Sequence, residues 1–458
     1  MRIIILGAGQ VGGTLAHNLA KEDHDITLVD LNESRLQALQ HRLDIQTVQG
    51  SATHPSVLIE AGIERADMLI AVTDHDEINM MACQIAYSLF RTPAKLARIR
   101  SQDYDNYEQI FCNDHIPVDV RISPEKLVTE HIEKLINYPG ATEVLEFGDG
   151  QALLVTITPQ QNGMIVNKTV ADLHESFAQI HARVVAIFRQ GKPVVIEENT
   201  QIEPKDRVLF IASPAAIQQV LVALGRYTHP NRRIIIAGGG HIGSKLASRL
   251  EDKYRIKVLD HNHSCTTRLA SQLHKATVLE GDIADRELLL NENIEFTDVF
   301  CAVTNDDEAN IMACLQAKQL GVRHAMALVN HKAYVELIED SRIDHAISPQ
   351  LVTIGSILAK MRRGNMVRVY RLSLQDAEAI ELVVQGDELT SQVIGRKLSQ
   401  LPLPNGCHIA TILRKGELLF PDPDLVVETA DHLILLLFKQ RYLREIESLF
   451  QVNLSFMA

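Results

Sequence analysis

Short apolar runs rich in β-branched residues recur along the chain. Each is followed by a stretch with apolar residues three and four positions apart. That alternation predicts parallel strands covered on both faces and joined by amphipathic helices. In the first third, strands are predicted at Arg2–Leu6, Asp25–Val29, Ile45–Val48, Met68–Val72, Leu96–Ile99 and Val118–Ile122. Helices are predicted at Val11–Ala20, Leu36–Leu43, Pro55–Ala61 and Glu77–Leu89. The order is that of an α/β fold, a Rossmann-like doubly wound parallel sheet. A longer helix runs from Pro124 toward Pro139-Gly140, with Leu127, Val128, Ile132, Leu135 and Ile136 on one side. The pattern then changes. Gln151–Thr158, His181–Arg189 and Asp206–Ala212 read as strands and Ala215–Leu224 as a closing helix, forming a small α+β module.

The whole sequence of elements then repeats. The opening run Ile3-Ile4-Ile5-Leu6 leads into Gly7-Ala8-Gly9-Gln10-Val11-Gly12, and Ile234-Ile235-Ile236-Ala237 leads into Gly238-Gly239-Gly240-His241-Ile242-Gly243. Asp30 matches Asp260, Gly50 matches Gly281, and Ala71-Val72-Thr73-Asp74 matches Ala302-Val303-Thr304-Asn305. Ser123-Pro124-Glu125 matches Ser348-Pro349-Gln350. The small modules match through Arg189 and Arg414, Asp206 and Asp431, and the closing helices 215–224 and 441–449. The layout is A-B-A-B, with domains expected at 1–138, 139–227, 228–364 and 365–458 and junctions near Pro139-Gly140, 228–231 and 362–365.

Composition narrows the function classes. The chain has 458 residues, nearly half of them apolar, enough for several packed domains. Its 58 acidic residues exceed its 45 basic ones, which argues against a nucleic-acid surface. Met1-Arg2 leads straight into a strand-like run and not into a signal peptide. No apolar stretch has the length of a membrane span. Cys83, Cys112, Cys265, Cys301, Cys314 and Cys407 are scattered without a CxxC pair, as reduced thiols would be. No nucleophile elbow, HExxH motif or Walker loop is present, and the histidines lack ligand spacing for a metal. Two nucleotide loops with little else suit a sensor; the alternative is an NAD-dependent dehydrogenase, which would need an acid/base group beside the nicotinamide.

In a G-x-G-x-x-G loop, Gly7 makes the tight turn, Gly9 admits the pyrophosphate and Gly12 lets the helix approach the sheet. The helix N-terminus then presents its free N–H groups to phosphate. Asp30, 18 residues beyond Gly12, can accept hydrogen bonds from ribose hydroxyls and would repel a 2′-phosphate, favouring NAD(H) or an adenine nucleotide (ATP or ADP). Thr73 and Asp74 follow the fourth strand, where ligands of such sheets sit; Thr73 reads equally as a turn residue capping the next helix. Arg98 is either a phosphate partner or an edge residue reaching water. The acids Asp74, Asp76 and Glu77, with Asp306, Asp307 and Glu308, are expected to complement helix dipoles. In the second half Ser51 becomes Asp282 and Arg98 becomes Leu328, so that site should bind polyphosphate less well.

These motifs resemble those of RCK domains, regulators of potassium conductance. The resemblance rests on residues 3–12, the repeated Ala-Val-Thr-Asp/Asn segment and the appended small modules, and it covers essentially the whole chain. It implies a regulatory subunit on the cytoplasmic face of the bacterial inner membrane. Such a subunit would be a homo-oligomer, a dimer of dimers, docked on a Trk-type potassium-translocating integral membrane subunit. It implies a first site at Gly7, Ala8, Gly9, Gln10, Val11, Asp30, Thr73, Asp74 and Arg98. The second would comprise Gly238, Gly239, Gly240, His241, Ile242 and Asp260, with NAD(H) or ATP/ADP as ligands.

Overall fold

A computed structural model describes the chain except residues 21–23, 105–106, 162, 225–230, 339–340, 362–365, 373–376, 440–441 and 453–458. The expected junctions at 228–230 and 362–365 therefore lie outside the described residues. The first parallel sheet comprises β1 (Arg2–Leu6), β2 (Asp25–Asp30), β3 (Gln46–Gln49), β4 (Met68–Ala71), β5 (Ala94–Arg98) and β6 (Val120–Ile122). Its order is β3-β2-β1-β4-β5-β6, so the crossing point lies between β1 and β4. The connecting helices are α1 (Gln10–Ala20), α2 (Glu33–Gln40), α3 (Pro55–Glu60) and α4 (Asp76–Phe90), followed by α5 (Pro124–Asn137). Central strands β1 and β4 are buried on both faces, which explains why they read as unbroken apolar runs.

The first small module holds β7 (Glu143–Phe147), β8 (Ala152–Ile157), α6 (Val170–Phe177), β9 (Ala182–Arg189), β10 (Lys192–Pro193), β11 (Arg207–Ala212) and α7 (Pro214–Ala223). Its sheet is antiparallel, in the order β10-β9-β11-β8-β7. The second parallel sheet repeats the first, with β12 (Arg233–Ala237), β13 (Arg255–Asp260), β14 (Thr277–Glu280), β15 (Val299–Ala302), β16 (His324–Leu328) and β17 (His345–Ile347). Its order is β14-β13-β12-β15-β16-β17. Its helices are α8 (His241–Leu250), α9 (His263–Gln272), α10 (Arg286–Asn291), α11 (Asp307–Gln319), α12 (Lys332–Ile338) and α13 (Pro349–Met361). The second small module holds β18 (Met366–Arg371), β19 (Glu378–Val383), β20 (Cys407–Arg414), β21 (Glu417–Leu419), β22 (His432–Leu437) and α14 (Leu443–Phe450).

Pattern reading starts α2 too late. The helix begins at Glu33 because Asn32 caps it, its side chain accepting from the Arg35 N–H at 3.1 Å. In the first small module β7, α6 and the two-residue β10 escape the pattern. Strand β7 carries Glu143 and Glu146, which mask its β character; Arg207 pairs with Glu143 at 3.4 Å. Helix α6 is only eight residues long, but its Thr169–Asp172 capping box is legible in hindsight. In both small modules an arginine at the end of one inner strand holds a fully buried aspartate just before the neighbouring strand: Arg189 to Asp206 at 2.9 Å and Arg414 to Asp431 at 2.8 Å. The two modules share one core, in which Phe147, Leu154 and Phe188 of the first pack with Leu413, Ile434 and Leu436 of the second.

The chain divides into two compact bodies. One holds residues 1–128 together with Pro349–Ile357; the other holds Thr129–Ser348 and Leu358 onward. The front of α13 therefore belongs with the first parallel sheet, although it follows the second in sequence. The later part of α5 belongs with the second sheet, where Arg249 of α8 pairs with Glu133 at 2.6 Å and Tyr254 donates to Asn137 at 2.8 Å. Among the described residues, no helix is long and apolar enough to cross a membrane.

Candidate functional site

The site grows out of the turn after β1. Gly7 has φ of 103°, a left-handed value that a side chain would strain, and Gly238 repeats it at 110°. A Cβ at Gly12 would lie 1.8 Å from the Gly7 carbonyl oxygen, and one at Gly243 would lie 1.8 Å from that of Gly238. Only glycine lets α1 and α8 start this close to their strands. Gly9 is different: a Cβ there would meet no described atom within 4 Å, so the loop is open on the side where a pyrophosphate would approach. Gly240 is equally open. Ala8 is buried, while Gln10 is exposed and Val11 partly so; His241 and Ile242 repeat that exposure.

Asp30 stands at the end of β2, across from this loop. Its Oδ2 accepts from the Ala8 N–H at 2.5 Å and its Oδ1 from the Asn32 N–H at 2.8 Å. Asp260 does the same for Gly239 at 2.7 Å and Asn262 at 2.8 Å. The carboxylate thus braces the glycine loop, and each oxygen keeps a lone pair for a hydroxyl donor.

Thr73 sits at the end of β4. Its hydroxyl donates to Asn79 Oδ1 at 2.7 Å, and the His75 N–H reaches Thr73 Oγ1 at 3.4 Å. That is the turn role, and Thr304 repeats it with Asn310 at 2.7 Å. Sequence reasoning gave Asn79 and Asn310 no task, although both stand in the duplicated segment. Each is fully buried. Asn79 also donates to the carbonyls of Thr73 and Arg98, tying β4 to β5; Asn310 does so for Thr304 and Leu328.

Asp76, Glu77, Asp307 and Glu308 stand in the first turns of α4 and α11, where acids complement the helix dipole as expected. Two of them also bind neighbouring backbone. Asp306 does cap α11, accepting from Ala309 N–H at 2.9 Å. Asp76 instead accepts from the backbone N–H groups of Arg100 and Ser101, both at 2.8 Å. Asp307 holds Asn330 and His331 in the same way, each at 2.9 Å. Burial works against the Asp307 carboxylate, but the Asn330 and His331 donors outweigh it and hold its pKa below the usual value. These acids clamp the chain where it leaves β5 and β16.

Arg98 does not snorkel. Its side chain is 15% exposed and lies between Asp74 at 3.8 Å and Glu125 at 3.9 Å. Its Nε is buried and has no hydrogen-bond partner among the described residues. Burial, reinforced by Arg100, pulls its pKa below that of an ordinary arginine. Arg100 donates to the Asp74 carbonyl at 2.6 Å. The first half therefore holds a half-satisfied cation near the carboxyl edge of the sheet. The second half has apolar, buried Leu328 at that position, and Asn305 in place of Asp74. Next to its loop, Cys265 donates to the Gly239 carbonyl at 3.1 Å. The buried Cys83 and Cys314 occupy equivalent points, bonding the carbonyls of Leu96 and Met326; burial pushes the Cys83 thiol up to about 12.

The comparisons with known proteins identify the family. The TrkA-N domain model matches residues 3–124 and 234–349, and the TrkA-C domain model matches 154–225 and 388–451. The chain is 46% identical over 456 residues to the Trk system potassium uptake protein TrkA of Halomonas elongata, covering all of both chains. It is also 46% identical over 458 residues to the TrkA of Vibrio alginolyticus, again covering both completely. Among solved structures, the GsuK channel bound to NAD is similar, with a TM-score of 0.60 and 17% identity over 98% of this chain and 78% of that one. The likeness to that channel is one of fold. Two glycine-loop sheets, each followed by a small antiparallel module and matched end to end by these relatives, place the chain in the TrkA family of Trk-system potassium uptake proteins, with TrkA-N and TrkA-C domains in tandem.

Proposed function

We propose that this chain is a nucleotide-responsive regulatory subunit, not an enzyme, that gates a potassium-translocating integral membrane subunit of the Trk type. In this reading it acts at the cytoplasmic face of the bacterial inner membrane as a homo-oligomeric ring, a dimer of dimers. NAD(H), or ATP and ADP, bind the first half at Gly7, Ala8, Gly9, Gln10 and Val11. Asp30 accepts from the ribose hydroxyls, Thr73 and Asp74 border the pocket, and Arg98 offers a positive charge to phosphate. The second half binds through Gly238, Gly239, Gly240, His241, Ile242 and Asp260, and more weakly. The four segments 1–138, 139–227, 228–364 and 365–458 are its domains.

The observation that carries this reading is the pairing of an open loop at Gly9 with an under-partnered buried guanidinium at Arg98. An unmet cationic group at the carboxyl edge of the sheet whose first strand leads into a glycine-loop helix start is suited to a polyphosphate. A ligand gates by binding two ring shapes unequally, so NADH and ATP with different contacts at Arg98 can drive opposite responses. The test is calorimetric titration of the full chain with NADH, NAD, ATP and ADP, followed by potassium flux in vesicles carrying the membrane subunit. Binding together with a nucleotide-dependent flux supports the proposal. Absence of binding would overturn it, and turnover of a hydroxy acid with NAD would replace it with the dehydrogenase reading.

A further inference from the structure

The two repeats part after the fifth strand of each sheet. The link from β5 to β6 covers residues 99–119, whereas that from β16 to β17 covers 329–344, five residues fewer. In the second repeat the link forms α12, and the Tyr334 hydroxyl donates to Glu308, in the first turn of α11, at 2.7 Å. The first repeat has the same residue types at the matching positions, Tyr104 and Glu77, but they make no such bond. Tyr104 packs edge-on against Phe111, with ring centroids 5.8 Å apart, and the Arg121 guanidinium lies over the Phe111 ring at 5.7 Å. The Glu77 carboxylate has no hydrogen-bond or ion-pair partner among the described residues. A cleft of about 690 Å³ opens there, lined by Glu77, Asp103, Tyr104 and Tyr107, with Ile110 and His115 among its other walls.

From this we infer that the cleft is a binding site for a small organic cation, an alkylammonium or guanidinium compound, none of whose walls belongs to the glycine loop. Its size is that of a small-molecule site and far exceeds a bare ion. Among the described residues no three His, Cys, Asp or Glu side chains are placed to hold a metal. The chemistry of the walls selects the class. Two carboxylates attract positive charge, and the electron-rich faces of two phenols hold a cation whose charge is spread over its substituents. Even a protonated His115 leaves the walls net negative. The neighbouring guanidinium groups are already engaged: Arg100 donates to the Asp74 carbonyl at 2.6 Å, and Arg121 pairs with Glu108 at 3.7 Å. The walls are also set in advance. Asp76 accepts from the Arg100 and Ser101 N–H groups at 2.8 Å, which fixes the chain leading to Tyr104 beside α4. In the second repeat Tyr334 already satisfies the acid, so the site belongs to the first repeat alone.

The test is equilibrium dialysis of the full chain against tetramethylammonium and guanidinium at constant ionic strength, without nucleotide. A neutral compound of similar size, tert-butanol, serves as the control. Saturable binding of at least one of the cations, and none of tert-butanol, is expected. Glu77→Gln should weaken it about fivefold, the scale for one charge a few ångströms away in an exposed site. Tyr107→Leu should weaken it about threefold, whereas Tyr107→Phe should preserve it, because phenylalanine keeps the ring face. Glu308→Gln should leave it unchanged. Glu77 and Tyr107 are both exposed, so these variants should keep the fold, which a thermal melt checks. Failure of both cations to bind saturably, equal uptake of tert-butanol, or equal weakening by Glu308→Gln would overturn the inference. An affinity that falls as protein concentration rises would give the cleft to a lysine or arginine of a second copy, and would overturn it too. Since no readout needs nucleotide, the outcome is independent of the site at Gly7–Val11.

Discussion

The two parallel sheets of this chain share a backbone plan and differ in charge. Both loops turn at a left-handed glycine, both are braced by an aspartate at the second strand, and both tie the fourth and fifth strands with a buried asparagine. The first half then adds Arg98 and Arg100 around Asp74, whereas the second has Leu328, Asn330 and Asn305. Duplication has preserved what forms the loop and changed the charge at the carboxyl edge of the fifth strand. The lesson is that loop geometry and local charge are separable. The hydrogen bonds of the glycine loop carry the first, and a few side chains on the fifth strand the second. The proposed difference in ligand affinity follows from the second.

The sharpest way to break the comparison is at the closest approach. Gly12→Ala would force a Cβ against the Gly7 carbonyl oxygen and should abolish nucleotide protection of the first loop alone, at a cost of about 1–3 kcal/mol in stability. Gly243→Ala should do the same to the second. Calorimetry with paired thermal melts would check both, and equal loss at both loops from one variant would mean the halves are not independent.

Asp30→Ala is the next largest. It removes the brace on Ala8 N–H as well as the ribose acceptor, so affinity at the first loop should fall by roughly one to two orders of magnitude. Unchanged affinity would dismiss the assigned pocket. Arg98→Leu makes the first half resemble the second. Polyphosphate affinity should drop about tenfold at the first loop, and the contrast between the halves should shrink, as measured by site-resolved hydrogen exchange. The reverse change, Leu328→Arg, would place a charge in an apolar, buried position and should destabilise the second sheet instead.

A gentler contrast is set by pH. His131 on α5 and His345 on β17 are both drawn down to about 4, chiefly by burial, with His345 adding repulsion at His131. The first body has Val120 and Ser356 at the matching positions. With folded values below the unfolded one of about 6.5, the unfolded chain binds more protons between pH 6.5 and 4. Stability from this pair is complete above pH 6.5 and is lost as pH falls toward 4. Acidification from pH 7 to 5 should therefore loosen β17 and the later part of α5 before it loosens β6. Exchange rates corrected for intrinsic pH dependence would show it, and parallel loosening of both would refute the assignment.

Much of the fold was legible because each central strand is an apolar run with glycine or a polar turn at its end. Strand β1 begins where that pattern places it. The ends of α2 and the existence of β7 were not legible, because a cap at Asn32 and a pair of glutamates in β7 work against periodicity. Within the site, the glycines and Asp30 stood out by spacing. The tasks of Thr73, Asn79 and Asp76 did not, since a hydrogen bond to a neighbouring strand leaves no mark on local sequence.

Sequence alone determined the duplication, the succession of strands and helices along the chain and the glycine turns, since each follows from local sterics and from which residues avoid water. Tertiary structure alone decided that Arg98 is enclosed between two acids, that the acids after β4 clamp the following strand, and that Gln350 reaches the loop at Gln10. Those facts depend on distances between residues far apart along the chain, and only packing of the folded backbone sets such distances.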